Sequence, residues 1–285
     1  MAVFLTPGPI ALPTLELGEP VALKSPNAEP VQTWPDPSGH IRAAAYRVGS
    51  AYWVDWPGVG RFVLSAAPAV RAVPDKAAGA GAVHDIFRRF ITPLAWQLRG
   101  GEALHASALC WGRSTVGFCA STGTGKSTFA CGLALRGHAL LTDDGLLLDP
   151  SEVPALVRPT SAGLRLRSES AAHFARPRER DGRAVGLPDA APAAEGLLAG
   201  LVVLERAMDP AAPDILRLQG GDALAAVLAH AHSIDAIDVR VRTRSVERYL
   251  AILEDTPVWR LHYPSGYDRL PEALDLVERT VEAIL

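Results

Sequence analysis

Ala120-Ser121-Thr122-Gly123-Thr124-Gly125-Lys126-Ser127 is the stretch that decides how this chain is read. An apolar run, Ser114 to Cys119, precedes it. A segment of helical character, Ser127 to Leu135, follows and is stopped by Arg136-Gly137. The eight residues match the phosphate-loop pattern GxxxxGK[ST] at every place but the first, where Ala120 stands for Gly. That chemistry needs these residue types. Gly123 and Gly125 let the backbone turn so that its N–H groups face phosphate oxygens. The following helix adds its positive N-terminal end. Lys126 is expected to face the β- and γ-phosphates rather than the core, and the Ser127 hydroxyl to ligate Mg²⁺. Ser121, Thr122, Gly123, Thr124, Gly125, Lys126, Ser127 and Thr128 form the expected nucleotide-contacting set. Ala is tolerated at position 120 provided that φ is negative there.

Downstream, His138 to Leu141 reads as a buried strand that ends at Thr142-Asp143-Asp144. In a right-handed strand–helix–strand unit the two strands run parallel, so their carboxyl ends share one sheet edge. Asp143 and Asp144 are therefore expected beside the loop. One acid there can hold Mg²⁺ through water, and the other can take the proton of an attacking hydroxyl. A protein that only hydrolyses nucleotide needs the first acid alone.

His105 lies in Leu104-His105-Ala106-Ser107, ahead of the loop strand. The order His105, then Ala120–Ser127, then Arg136-Gly137-His138, then Asp143-Asp144 resembles the bacterial HPr kinase/phosphorylase family. The likeness extends to spacing, with 21 residues from His105 to Lys126 and 18 from Lys126 to Asp144. It covers about residues 102–145. The resemblance implies that Lys126 and Ser127 bind nucleotide and metal, that Asp144 is the catalytic base, and that His105 assists near the transferred phosphate. The family's later Glu-x-Arg-Gly stretch has no counterpart here. Glu169, in Leu164-Arg165-Leu166-Arg167-Ser168-Glu169, is the nearest candidate for its metal-binding Glu, and it also fits a first-turn helix acid. The segments LHAS, GLRLRSES and WRLHYP look more like a divergent branch that accompanies ribosomal-peptide biosynthesis, including kinases of lasso-peptide precursors.

The remaining sequence sets bounds. The chain has 285 residues, a net charge of −3 and a pI of about 6.2. A weakly acidic chain is a poor generic ligand for nucleic acid, whose binding rests on Lys and Arg. The prolines at 7, 9 and 13 and the lack of a basic residue before the first apolar stretch are unlike a secretory signal. No run approaches the roughly 20 apolar residues of a membrane span. Cys110, Cys119 and Cys131 lack CxxC or metal-ligand spacing and read as reduced core residues of a cytoplasmic protein.

Residues 1–99 read as a small, mostly β domain that ends in a helix, and residues 100–285 as a larger α/β domain of HPr-kinase-like P-loop type. In the first, Ala44–Val48, Ala51–Trp56 and Gly60–Leu64 have strand composition. Ala82–Leu98 has helical spacing, interrupted at Pro93. In the second, Ala103–Cys110, Leu198–Leu204 and Val258–Tyr263 read as strands, and Asp222–His230, Ser245–Leu253 and Pro271–Ile284 as helices. Arg240, Arg242 and Arg244 alternate with Val239, Val241 and Thr243 as in a half-exposed strand. His230 and His232 read as structural. Arg176 to Arg183 reads as a charged loop. Arg165 and Arg167 are candidates to hold phosphate or an acidic acceptor.

The resulting expectation is an ATP- and Mg²⁺-dependent kinase that phosphorylates a hydroxyl, with serine of a peptide or protein as partner and the oligomeric state, homo-oligomer included, left open. Two alternatives remain: a nucleotide-dependent switch or ATPase without acceptor, and a small-molecule kinase.

Overall fold

The computed structural model describes residues 10–24, 27–36, 38–79, 81–160, 164–175, 179–180, 183–184, 195–207, 212–235 and 237–285. The chain is mixed α/β and divides into two units, Met1–Ala103 with His232–Arg248, and Leu104–Ala231 with Tyr249–Leu285.

The first unit carries β1 (Thr14–Leu17), β2 (Gln32–Pro35), β3 (Ile41–Val48), β4 (Ala51–Trp56), β5 (Gly60–Leu64) and β6 (Ala69–Pro74) in the order β1-β6-β5-β4-β3-β2. The sheet is antiparallel apart from the β1–β6 pair. Its buried face, with Ala43, Ala45, Val54, Phe62 and Leu64, packs on Phe87, Ile91 and Leu94. Those residues belong to α1 (Ala82–Ile86), a π turn (Phe87–Ile91) and α2 (Thr92–Leu98). Pro93 has no N–H to give to the carbonyl four residues back. The chain answers by widening one turn ahead of it, where the Thr92 N–H donates to the Phe87 carbonyl and the Thr92 hydroxyl does the same at 2.9 Å.

The second unit contains β8 (Ala106–Trp111), β9 (Ser114–Cys119), α3 (Lys126–Leu135), β10 (Ala139–Thr142), β11 (Leu146–Asp149), β12 (Leu156–Arg158), α4 (Ser168–Phe174), β13 (Glu179–Arg180), β14 (Arg183–Ala184), β15 (Gly196–Arg206), β16 (Asp214–Leu218), α5 (Gly220–Leu228), β17 (Val258–Tyr263) and α7 (Leu270–Glu282). Strand β7 (Glu102–Leu104) and helix α6 (Val239–Glu254) complete the chain. The main sheet runs β10-β8-β9-β15, and β15 passes on to β17 and β16. Strands β9, β15 and β17 are parallel, and β8 is antiparallel to both β9 and β10. The connection β9–α3–β10 therefore joins two strands of one direction with β8 between them. Their carboxyl ends share an edge, as the sequence implies, but they are not neighbours.

Alternation along the strands buries both faces of this sheet. Phe118, Val202, Leu204 and Leu261 point to one side, against Phe129 and Leu133 of α3 and Leu274 and Val277 of α7. Cys119, Leu201 and Val203 point to the other, against Leu146, Leu148, Val227, Tyr249 and Ile252. Such strands read as continuous apolar runs, which is why β15 is conspicuous in the sequence. No disulfide joins the three cysteines, and burial pushes the Cys119 thiol up to about 12. Among the described residues no helix is long and apolar enough to cross a membrane.

Two expectations are corrected. The run Ala103–Cys110 is not one strand. At His105 the backbone N–H leaves the ladder for the His230 carbonyl (2.8 Å), separating β7 from β8. The alternating Arg240–Arg244 stretch is helical, the first turns of α6. Asp238 overrides the period-two pattern, because its carboxylate accepts the Arg240 N–H (2.8 Å) and its carbonyl the Arg242 N–H (3.1 Å). The strands β1, β2, β6, β11, β12 and β16 carry too weak a pattern to be seen in advance, and helix α4 is signalled only by its first-turn acid, Glu169. In the Arg-rich stretch, Arg176 and Arg178 lie outside the described residues, and Glu179–Arg180 pairs with Arg183–Ala184.

Gly200 marks a register shift in β15 between its pairings with β9 at Leu198 and Gly200. A methyl group there would lie 2.5 Å from the Trp259 ring, which is rigid and buried. Gly200→Ala is expected to destabilise the protein by about 1–3 kcal/mol, the usual cost of overpacking. Denaturant unfolding that shows equal or greater stability would contradict this packing.

Candidate functional site

The loop between β9 and α3 folds as a tight coil of two left-handed glycines, Gly123 (φ 88°) and Gly125 (φ 111°), conformations that strain residues bearing a Cβ. Ala120 is buried and lies outside the left-handed region, so its methyl group is tolerated. The Thr124 N–H donates to the Ser121 carbonyl at 3.0 Å, and Gly125 opens α3, its carbonyl accepting the Phe129 N–H at 2.8 Å. No side chain caps α3. The first N–H groups of the helix are thus left for a ligand or water, with the positive end of the helix behind them.

Lys126 points from this turn into a buried cluster. Its Nζ lies 3.1 Å from Asp143 Oδ1, 2.9 Å from Asp144 Oδ1 and 3.4 Å from Ser107 Oγ. The side chains of Lys126, Asp143 and Asp144 are 7%, 0% and 25% exposed. This corrects the expectation that Lys126 stands clear of the core. A fully buried carboxylate must be neutralised, and Lys126 is the cation on hand. Asp143 accepts further hydrogen bonds from the hydroxyls of Ser107 and Ser127, the latter at 3.1 and 3.2 Å, and from the Arg165 N–H at 3.1 Å. With four donors on one carboxylate, Asp143 is held rigidly.

Asp144 is the one non-glycine residue with positive φ (71°) among the described residues. Asp enters this region more readily than most, and strain of this kind gathers at functional sites. The turn is closed by the Thr142 hydroxyl, which donates to the Gly145 carbonyl at 2.9 Å and also bonds Thr160. The register shift between Leu140 and Thr142 in β10 precedes it. His105 joins from the break between β7 and β8, where its ring is hydrogen-bonded to the Asp144 backbone. Burial, and secondarily the Lys126 charge, hold its imidazole below the ordinary range. Burial lowers His230 as well, with His105 contributing. A neutral His105 is suited to donate one hydrogen bond and accept another.

Arg165 reaches Asp143 through its backbone, and Arg167 lies over the loop, since a methyl group on Gly123 would sit 3.2 Å from its guanidinium. Glu169 stands in the first turn of α4 and lines a cavity with Gly125 and Thr128. Thr128 shares a 2.9 Å hydrogen bond with Ser170, and Ser170 another of 2.9 Å with Tyr267. The Arg136-Gly137-His138 turn does not enter the site. It ties the end of α3 to α7, through Arg136 to Asp275 (2.6 Å) and His138 to Glu278 (2.9 Å).

Sequence reasoning missed Ser107, Arg206 and Tyr263. Ser107 shares the strand parity of His105, which was a usable signal. Arg206 and Tyr263 are register partners at the carboxyl ends of β15 and β17. The Arg206 Nε and the Tyr263 hydroxyl both donate to the Thr124 carbonyl, at 2.7 and 2.6 Å, and so clamp the loop. Residues that close parallel strands at this edge are where ligands bind in open α/β sheets.

The donors present fit a small hard cation. The Ser127 hydroxyl and the two carboxylates are oxygen ligands, and the four donors already on Asp143 suit an ion that keeps part of its water shell, as Mg²⁺ does. Among the described residues no group of three or more His, Cys, Asp or Glu side chains is arranged to hold a metal ion unaided.

No family model matches the chain, and no curated protein matches it. Among solved structures it is similar to the Hpr(Ser) kinase/phosphatase from Coxiella burnetii, at 16% identity and a TM-score of 0.33, over 64% of this chain and 92% of that one.

Lys126→Met would leave two carboxylates without their cation. Removing one partner of a buried ion pair costs about 3–5 kcal/mol, and Lys126→Met is expected to fall in that range by denaturant unfolding. Adding Asp143→Asn should recover part of the loss. A Lys126→Met protein as stable as the parent would show that the cluster does not hold in solution.

Proposed function

We propose that the chain is a phosphotransferase that moves the γ-phosphoryl group of MgATP onto a serine hydroxyl of a peptide or protein. The observation that carries this reading is the convergence of Lys126 and the tandem Asp143–Asp144 at the uncapped start of α3, with His105 against Asp144.

The N–H groups of the glycine loop and the first turn of α3 supply donors to phosphate oxygens, and Lys126 supplies charge. Ser127 and Asp143 are the residues to hold Mg²⁺, which when bound offsets charge on the phosphate oxygens. Asp144 is the partly exposed acid of the pair, so it is the one an acceptor hydroxyl can reach. In the transfer it takes the hydroxyl proton, the serine oxygen bonds the γ-phosphorus, and the bond from that phosphorus to ADP breaks. A switch or simple ATPase has no use for a base beside the metal acid, so the second acid favours transfer. Arg165 and Arg167, next to Asp143 and Gly123, suit the transferred phosphate or an acidic acceptor. By the resemblance drawn from the sequence, precursor peptides of lasso-peptide type are the first acceptors to try.

Incubation with γ-labelled ATP, Mg²⁺ and peptide pools, read by mass spectrometry, is expected to place phosphate on serine. If metabolites gain the label and peptides do not, the small-molecule reading replaces this one. Asp144→Asn should keep nucleotide affinity and lose about 10²–10⁴-fold in transfer rate, the usual contribution of a general base. Asp143→Asn should raise the Mg²⁺ concentration needed for half-maximal rate. Near-normal transfer by Asp144→Asn would remove its assigned role.

A further inference from the structure

The phosphate reading fixes a direction. In the main sheet the aspartates end β10, on one side of the loop strand β9, whereas Arg206 and Tyr263 end β15 and β17 on the other. If a triphosphate lies along Gly123–Ser127 with its terminal phosphoryl group at Asp143 and Asp144, its remaining part points toward β15 and β17. A cavity of about 230 Å³ opens there, lined by Gly125, Thr128, Glu169, Arg206, Tyr263 and Tyr267 among others.

Tyr267 makes this cavity more than a surface dent. Its ring stacks on the His173 imidazole, with centroids 4.3 Å apart and planes at 14°. Its hydroxyl is tied through Ser170 to Thr128, on the same first turn of α3 that carries Lys126 and Ser127. The ring is thus held flat at a fixed place relative to the phosphate loop, and a ligand does not meet the entropy cost of ordering it. A fixed aromatic face is what a planar heterocycle stacks on. The carboxylate of Glu169, lining the same cavity, is an acceptor of the kind that sugar hydroxyls need.

We infer that this cavity binds the nucleoside end of the nucleotide, with the Tyr267 ring as the stacking wall for the base and Glu169 facing the sugar. The inference rests on the phosphate-binding reading above and assigns the base end, which no sequence motif indicates. It makes Tyr267 a specificity residue and not a catalytic one.

The test compares ATP with inorganic tripolyphosphate, each with Mg²⁺, by calorimetry on the full chain. The native protein is expected to prefer ATP. Tyr267→Ala should weaken ATP by about 10-fold or more, in line with the contribution of one stacked base, while tripolyphosphate affinity stays within about two-fold. Tyr267→Phe keeps the ring without the hydroxyl and should retain most of the preference. Unchanged tripolyphosphate binding also reports that the variant site is folded. Equal affinity of the native protein for the two ligands, or an equal loss of both in Tyr267→Ala, would overturn the nucleoside assignment and leave the phosphate site standing. Failure of the native protein to bind either ligand would overturn both.

Discussion

The buried cluster of Lys126, Asp143 and Asp144 is the constraint on which the rest of the second unit depends. A carboxylate removed from water is tolerated only when charge and hydrogen bonds replace its hydration. Asp143 receives an ammonium, two hydroxyls and one backbone N–H, contributed by β8, by the start of α3 and by the segment before α4. Satisfying this one group fixes four stretches of chain against each other. The same cluster places a cation, an uncapped helix end and a second, more exposed acid within a few ångströms.

A site of this kind needs a rigid frame, and the sheet supplies one. Its strands β9 and β15 are buried on both faces and β17 mainly on one, so the first two cannot shift without disturbing two packed layers. Their carboxyl ends hold the loop, through Arg206 and Tyr263 on the Thr124 carbonyl. Phe129 continues this link inward, its ring 5.5 Å from Phe118 and 5.9 Å from Tyr263. The first unit uses the same means for its own purposes. There the buried Asp235 accepts from Arg47 and from the Tyr52 hydroxyl at 3.0 Å, while the equally buried Glu102 is held by Ser245 at 2.8 Å and Arg248 at 3.2 Å. Burial still raises the Glu102 carboxyl above its ordinary range.

The long, strongly patterned elements were legible before any coordinates. The strands Ala51–Trp56, Gly60–Leu64 and Val258–Tyr263 fall where composition puts them, and α3 and α7 begin within one residue of their signals. The elements that were not legible have three to seven residues, too few for a period to stand out where composition gives no second signal. Helix α6 shows how a local signal loses. Its alternating Arg and Val residues favour a strand, but a single Asp238 at the start of the turn outweighs them.

For the site the division is similar. Sequence by itself determined the residue types, and their order made the loop, the lysine and the tandem acids recognisable, since turning glycines and paired carboxylates have few other uses at that spacing. Only the tertiary structure decided that Lys126 lies in the cluster with the acids and not in open solvent. It alone decided that Asp144 adopts a left-handed turn, and that Arg206, Tyr263 and Tyr267 border the loop from strands and segments some 80 to 140 residues away. The reason is physical. A motif fixes what a few adjacent residues can do, whereas the burial of a charge depends on every strand and helix that closes around it.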